Sequence, residues 1–298
     1  MQCIALNARP LLKAGAHDKL STRKKLKMSY GTLTTLKTWE AAGTAPKHFD
    51  NQIPYLDQKE IPETFKQLFA ADANLSMLEL GCGSGYFCCQ LARWIGLEKI
   101  VSTTGIDWSE PLGQAFTTSV TEMGLLTTFI QANLLDENIL ATTPPSDVVI
   151  SGGLVEHFVG LDFHKILDLH HQLLKPNGKL VISFPNLLGA RYLWHRLFDY
   201  NNLADHSLDA MRPNIVSQFY RERGYHMDLI AYYGKNRLWW NPQDKRSKAS
   251  KIAGNIVLKL YNKLLGKAMD WATPNHPAFF SPYCMIIATK SGNDKEAT

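Results

Sequence analysis

"LELGCGSGYF", residues 78–87, places glycines at 81, 83 and 85 directly after an apolar run. Glycines at alternate positions accept backbone angles that side chains resist, and they let another molecule approach the main chain closely. The run before them, "SMLEL" (76–80), reads as a buried strand, and "YFCCQLARWIG" (86–96) as the helix behind it, ended at Gly96. In an open parallel sheet the ligand lies beyond the carboxyl ends of the strands, so this first turn is the natural cradle. A dinucleotide fingerprint needs its third glycine at 86, where Tyr86 stands, and the Gly-Lys-Ser/Thr ending of a phosphate loop is absent. Glu79 would repel a pyrophosphate, whereas it suits a ligand carrying an ammonium or sulfonium charge.

The same rhythm continues outward. "IVSTTGID" (100–107) is a second strand, followed by an amphipathic stretch for which Ser109 is the expected N-cap, with Pro111 in the first turn. "TTFIQA" and "SDVVISGG" give strands three and four. "DFHKILDLHHQLL" gives a helix, "KPNGK" a turn and "LVISF" a fifth strand. "HMDLIAYYG" and "SPYCMIIATK" read as the last two strands. Strands alternating with helices imply a parallel sheet covered on both faces. The expected organisation is an N-terminal extension over 1–70, read as a lid, then the sheet-bearing domain over 71–298. Within it, 235–280 is a lysine- and aromatic-rich insertion before the last strand.

Composition narrows the partners. The 298 residues are 45% hydrophobic and 20% charged, with a net charge of +5, ordinary values for a globular chain. No run approaches the roughly 18 apolar residues of a spanning helix. The mild positive charge does not demand nucleic acid. Five cysteines at 3, 82, 88, 89 and 284 lack metal or disulfide spacing, which points to a reducing, cytoplasmic setting and to no metal site. The opening is basic and nearly free of acids; a solvated arm and an organellar transit segment are both compatible with it.

"LELGCGSG" followed by "GID" resembles the class I S-adenosylmethionine-dependent methyltransferases. The resemblance continues in order through "QANLLD", "SDVVISGGLVEHF" and "LLKPNGKLVISFPN", roughly residues 75–186. It implies an α/β, Rossmann-like fold: a seven-stranded, mostly parallel sheet with helices on both faces and one antiparallel strand. It also implies S-adenosyl-L-methionine as cofactor. Gly81, Gly83 and Gly85 would close around its methionine and ribose, and Asp107 would accept both ribose hydroxyls. Trp108 would pack on the adenine. Asn133 stands where the family often has an acidic residue for the adenine amino group, and Leu134 would offer an N–H and an apolar contact. The backbone of Ser151, Gly152 and Gly153 would border the reactive methyl. Each has a plainer alternative: a tight turn for the glycines, a helix cap for Asp107, an ordinary turn for Asn133.

Methyl transfer requires a nucleophile held in line with the C–S bond, and a hydroxyl or ammonium acceptor must also lose a proton. His157, in "GGLVEHF", is the first candidate base, with Glu156 orienting it or facing the cofactor. The same sequence is similar to ubiquinone-pathway O-methyltransferases, in which an "EH" pair follows this strand. The alternative is that His157 only fixes the loop. His48 is a second candidate base, while His170 and His171 are expected at a helix surface. The basic stretch 248–271 reads as a lid, a packed helix or a peripheral membrane contact. Trp239, Trp240, Phe279 and Phe280 flank it. The expected activity is methylation of a small molecule, on oxygen first and nitrogen next. The alternatives are a non-catalytic cofactor-binding module or partner subunit, and a nicotinamide oxidoreductase that Tyr86 and Glu79 disfavour.

Overall fold

The computed structural model describes residues 60–234, 248–272 and 278–292. His48, Trp239, Trp240 and nearly all of the extension and its proposed lid therefore lie outside the described residues. Helix α1 (Glu60–Leu68) precedes β1 (Leu75–Leu80), α2 (Tyr86–Ile95), β2 (Ile100–Asp107), α3 (Glu110–Thr121) and β3 (Thr127–Gln131). After the short α4 (Ile139–Thr142) come β4 (Ser146–Gly152), a 3-10 turn (Val155–His157) and α5 (Gly160–Gln172). Then follow β5 (Leu174–Pro185), α6 (Ala190–Phe198), α7 (Tyr200–Ala204), α8 (Pro213–Arg221) and β6 (Tyr225–Tyr233). Helix α9 (Lys248–Leu260), a π turn (Tyr261–Leu265), α10 (Gly266–Ala272) and β7 (Tyr283–Lys290) complete the described chain.

The strands form one sheet in the order β3-β2-β1-β4-β5-β7-β6. All pairs are parallel except β5–β7 and β6–β7. So β7 alone runs against the others; it is last in the chain but penultimate in the sheet. The two faces follow the two-residue period of a strand. Leu78, Leu80, Val149, Leu180, Ile182 and Ile286 share one buried cluster with residues of α5 and α8. Met77, Val148, Ile150, Val181, Met285 and Ile287 share the other with residues of α1, α2 and α3. Neither face is left to water, which is why these strands read as continuous apolar runs.

The expected turn "KPNGK" is instead absorbed into β5. Leu174 pairs with Ser146 and Lys179 with Val148, with the register slipping between them. Asn177, at φ 61°, supplies the left-handed residue the slip needs, a conformation asparagine tolerates better than most.

Two features orient the molecule for function. The six co-directional strands all end on the edge that carries the glycine turn, and β7 starts there because it is reversed. The connection from β6 to β7 therefore leaves and returns on that edge. Second, Gly105 in β2 is a glycine for space alone: its φ is not positive, yet a Cβ would stand 2.6 Å from Phe116 Cε1 and 2.8 Å from Cys82 Sγ. Phe116, fully buried, clamps α3 onto β2. We expect Gly105→Ala to destabilise the fold by about 1–3 kcal/mol through overpacking, read as a lower urea midpoint. An unchanged midpoint would show that the Phe116 ring yields without cost.

Candidate active site

The turn between β1 and α2 holds Gly81, Gly83 and Gly85 at φ 65°, 48° and 76°, all in the region that side chains avoid. The three are not equivalent. A Cβ on Gly81 would meet Leu154 Cδ1 at 2.7 Å, and one on Gly85 would meet Phe116 Cδ2 at 2.9 Å. A Cβ on Gly83 would meet nothing within 4 Å among the described residues. Its bare side faces open space, so a ligand can lie directly against the backbone there.

Asp107, 7% exposed, ends β2 and braces this turn. Its Oδ2 accepts the Gly83 N–H at 3.0 Å and its Oδ1 accepts the Ser109 N–H at 3.0 Å. Asp107 sits at the strand end beside the glycines and restrains the start of α3, while the N-cap position itself is held by Ser109. Glu79 is on the opposite flank, 2% exposed, its Oε2 accepting the Cys88 N–H of α2 at 3.3 Å. Burial pushes the Glu79 carboxyl well above its ordinary range, against the Cys88 N–H, and the nearby Asp107 charge adds to the rise.

On the β3 side the residues are looser. Trp108 is 38% exposed, on the rim, and its carbonyl accepts from Gln131 Nε2 at 3.2 Å. Asn133 Oδ1 accepts the Leu135 N–H at 3.1 Å, the Asx-turn that was the plainer alternative. Leu134 is half-buried against the apolar cluster of the α5 face.

Beyond β4 the side chains and the backbone face different ways. Ser151 is fully buried, and its hydroxyl meets His170 Nε2 at 2.9 Å while His170 Nδ1 meets the Ile166 carbonyl at 2.7 Å. A carbonyl only accepts, so Nδ1 carries the hydrogen and Nε2 receives the Ser151 O–H. His170 is therefore not a surface residue, as its place in the helix suggested, but a buried neutral ring whose pKa burial lowers to about 4. Among the described residues His171 meets Tyr225 Oη at 3.0 Å and Asp168 pairs with Arg223 at 3.1 Å. Gly152 is required by Phe87, whose ring would stand 2.9 Å from an added Cβ. Gly153, at φ 70°, donates its N–H to the Ser183 carbonyl at 2.8 Å.

The turn Val155–His157 brings the predicted pair to the same edge, since the preceding Leu154 packs over Gly81. Glu156 is 2% exposed, and burial raises its pKa to about 8. His157 is lowered to about 3, first by burial and then by His206, while the carbonyls of Asp205 and Gly153 bond its ring. His157 Nε2 and Glu156 Oε1 are 3.9 Å apart, too far for a hydrogen bond. Sequence reasoning missed four residues here. His206 sets its ring 4.9 Å from that of His157, tilted by 45°; Ser207 donates its N–H to the Glu156 carbonyl at 2.7 Å; and the hydroxyls of Ser183 and Tyr233 bond each other. Only proximity in space links these to the glycine turn, so no local motif announces them.

Glu79 provides a test. Its ordinary pKa is 4.5, and burial lifts the folded value above that. Folding therefore takes up a proton between the two values, and stability falls as pH rises through that window. We expect Glu79→Gln to raise the urea midpoint at neutral pH, with the gain shrinking toward pH 4.5, and to weaken binding of a cationic ligand. A lower midpoint at neutral pH would mean that the charge is compensated in the fold.

A family model described as "Methyltransferase domain" matches residues 53–229. No curated protein sequence matches. Among solved structures, the [4+2]-cyclase SpnF is similar at a TM-score of 0.50 and 13% identity, over 90% of this chain and 97% of that one. An O-methyltransferase family protein from Burkholderia thailandensis gives 0.48 and 14%, over 79% of this chain; the chain spans 56% of that protein's length. A SAM-dependent methyltransferase from Archaeoglobus fulgidus gives 0.46 and 19%, over 78% and 92% of the two chains. The residues fit S-adenosylmethionine: an open face at Gly83, a carboxylate acceptor at the end of β2, and a buried carboxyl at Glu79 for a positively charged ligand. Matched over more than half of its length, the chain belongs to the methyltransferase domain family, enzymes whose cofactor is S-adenosyl-L-methionine.

Proposed function

We propose that this enzyme methylates a hydroxyl oxygen of a small apolar molecule, which meets the cofactor at the Glu156–His157 turn. The observation that carries this is the packing of Leu154 over Gly81, which puts the turn Val155–His157 directly beside the cofactor cradle. Bound there, S-adenosylmethionine supplies an electrophilic methyl on a sulfonium. Gly83 leaves room for it against the backbone, Asp107 accepts from its ribose, and Glu79 gives its charge a partner. Trp108, on the rim, is placed to cover the adenine, whereas Asn133 serves its own turn and Leu134 lends an apolar wall.

Glu156 and His157 prepare the acceptor. A ring whose pKa is near 3 is a weak proton acceptor at neutral pH, so His157 contributes its neutral lone pair and its position. We assign the described helices between β6 and β7, Lys248–Leu260 and Gly266–Ala272, to the acceptor side. In this stretch, Ile252, Ile256, Leu260 and Leu264 fall at every fourth position and are 54–62% exposed. Lys248, Lys251, Lys259, Lys263 and Lys267 accompany them in the sequence. That pattern suits an acceptor with an apolar tail delivered from an anionic lipid surface. Among the described residues no helix is long and apolar enough to cross a membrane. The fold by itself does not name the reaction.

The assay is S-adenosylhomocysteine release with paired phenol and amine acceptors, each water-soluble or lipid-tailed on anionic vesicles. We expect turnover of phenols, faster for the tailed one, and a His157→Ala variant that loses about 100-fold in turnover through lost positioning of the acceptor while binding S-adenosylhomocysteine normally. Turnover of amines alone would move the acceptor atom to nitrogen. Equal turnover of tailed and soluble phenols would remove the lipid surface. Cofactor binding with no turnover of any acceptor would leave a binding module.

A further inference from the structure

We propose that Glu156, His157 and His206 form a binding site for a divalent first-row transition-metal ion beside the cofactor cradle. The ion's use in ionising the acceptor rests on the function proposed above; its binding does not.

The donors converge from two segments. Glu156 and His157 belong to the turn after β4, and His206 to the loop after α7. Their candidate ligand atoms, one carboxylate oxygen and two imidazole nitrogens, all lie within 4.8 Å of one another. Around a tetrahedral ion with bonds of about 2.0–2.2 Å, ligand atoms stand roughly 3.3–3.6 Å apart. Closing from the observed spacing asks for about an ångström of side-chain movement. The two segments are already fastened together, since the Ser207 N–H meets the Glu156 carbonyl at 2.7 Å and the Asp205 carbonyl bonds the His157 ring. A ligating histidine is commonly oriented by just such a bond from its ring to a backbone carbonyl.

Glu156 carries the second observation. The residue is 2% exposed, and its Oε2 has no hydrogen-bond partner among the described residues. A buried carboxylate left so is costly unless a positive charge accompanies it. His157 lies too far for a hydrogen bond to Glu156 Oε1, at 3.9 Å, but at a separation that an ion between them would shorten. Two imidazoles and one carboxylate favour zinc, cobalt, manganese or iron(II) over magnesium and calcium. Three protein ligands also leave a coordination position for an incoming oxygen. An acceptor hydroxyl in that position would lose its proton readily: the O–H bond breaks, the electron pair stays on oxygen, and the proton leaves to water.

The test uses the full chain, stripped with a chelator and titrated with cobalt(II), read by the visible d–d bands. Glu156→Gln and His206→Ala are titrated beside it, and S-adenosylhomocysteine binding is measured on all three proteins as a check on the fold. We expect one ion per chain, weakened at least about tenfold in both variants, with S-adenosylhomocysteine affinity kept. No stoichiometric binding would overturn the proposal. So would undiminished binding by both variants, or a sulfur-to-cobalt charge-transfer band placing the ion on cysteine. Cobalt binding as expected, with no S-adenosylhomocysteine binding by any of the three, would uphold the metal site and sink the functional reading instead.

Discussion

One carboxylate ties the functional end of the sheet together. Asp107 closes β2 and accepts two main-chain N–H groups, one from Gly83 in the neighbouring turn and one from Ser109 at the start of α3. Hydrogen bonds to an ionised, buried acceptor are worth roughly 1.5–3 kcal/mol each. They hold a loop whose three glycines stand in conformations that other residues resist. The loop in turn sets where Leu154, and hence the turn carrying Glu156 and His157, packs against Gly81. A change at Asp107 should therefore be felt at the cradle and at the acceptor edge alike.

Glu79 and Glu156 show how the fold accommodates charge at this edge. Both are almost fully buried, and burial raises the pKa of each. Keeping such groups costs stability in the empty protein, and the cost is recovered when a positive partner arrives. For Glu79 the proposed partner is the cofactor; for Glu156 it is the proposed ion. His157, buried and neutral, fits a role as ligand or positioning group better than a role as free proton acceptor.

Much of this was legible in the sequence because it is local. Continuous apolar runs marked the central strands, which are covered on both faces, while the edge strands β3 and β6, only partly buried, were marked by their place in the strand–helix rhythm. The glycine turn and Asp107 stood out because few residues suit a positive φ or close a strand with a carboxylate. What stayed hidden depends on contacts between distant segments. His170 looked like a polar residue on a helix, yet it lies under β4 because Ser151, nineteen positions earlier, points its hydroxyl into that layer. Gly105 gave no turn signal because it serves the Phe116 ring rather than the backbone. His206 sits in an ordinary polar loop, and contacts between distant segments, the Ser207–Glu156 hydrogen bond and the Asp205 carbonyl on the His157 ring, bring it to the site. The slip in β5 was hidden because "KPNGK" has the composition of a free turn, yet the residues on either side of it, Leu174 and Lys179, both pair with β4.

The most direct measurement is calorimetric titration of wild type and Asp107→Ala with S-adenosylhomocysteine, run beside NAD. An Asp107-braced cradle predicts micromolar binding of S-adenosylhomocysteine, no binding of NAD, and a loss of at least tenfold, about 1.4 kcal/mol, in the variant. Binding of NAD in place of S-adenosylhomocysteine, or equal affinity in both proteins, would contradict it.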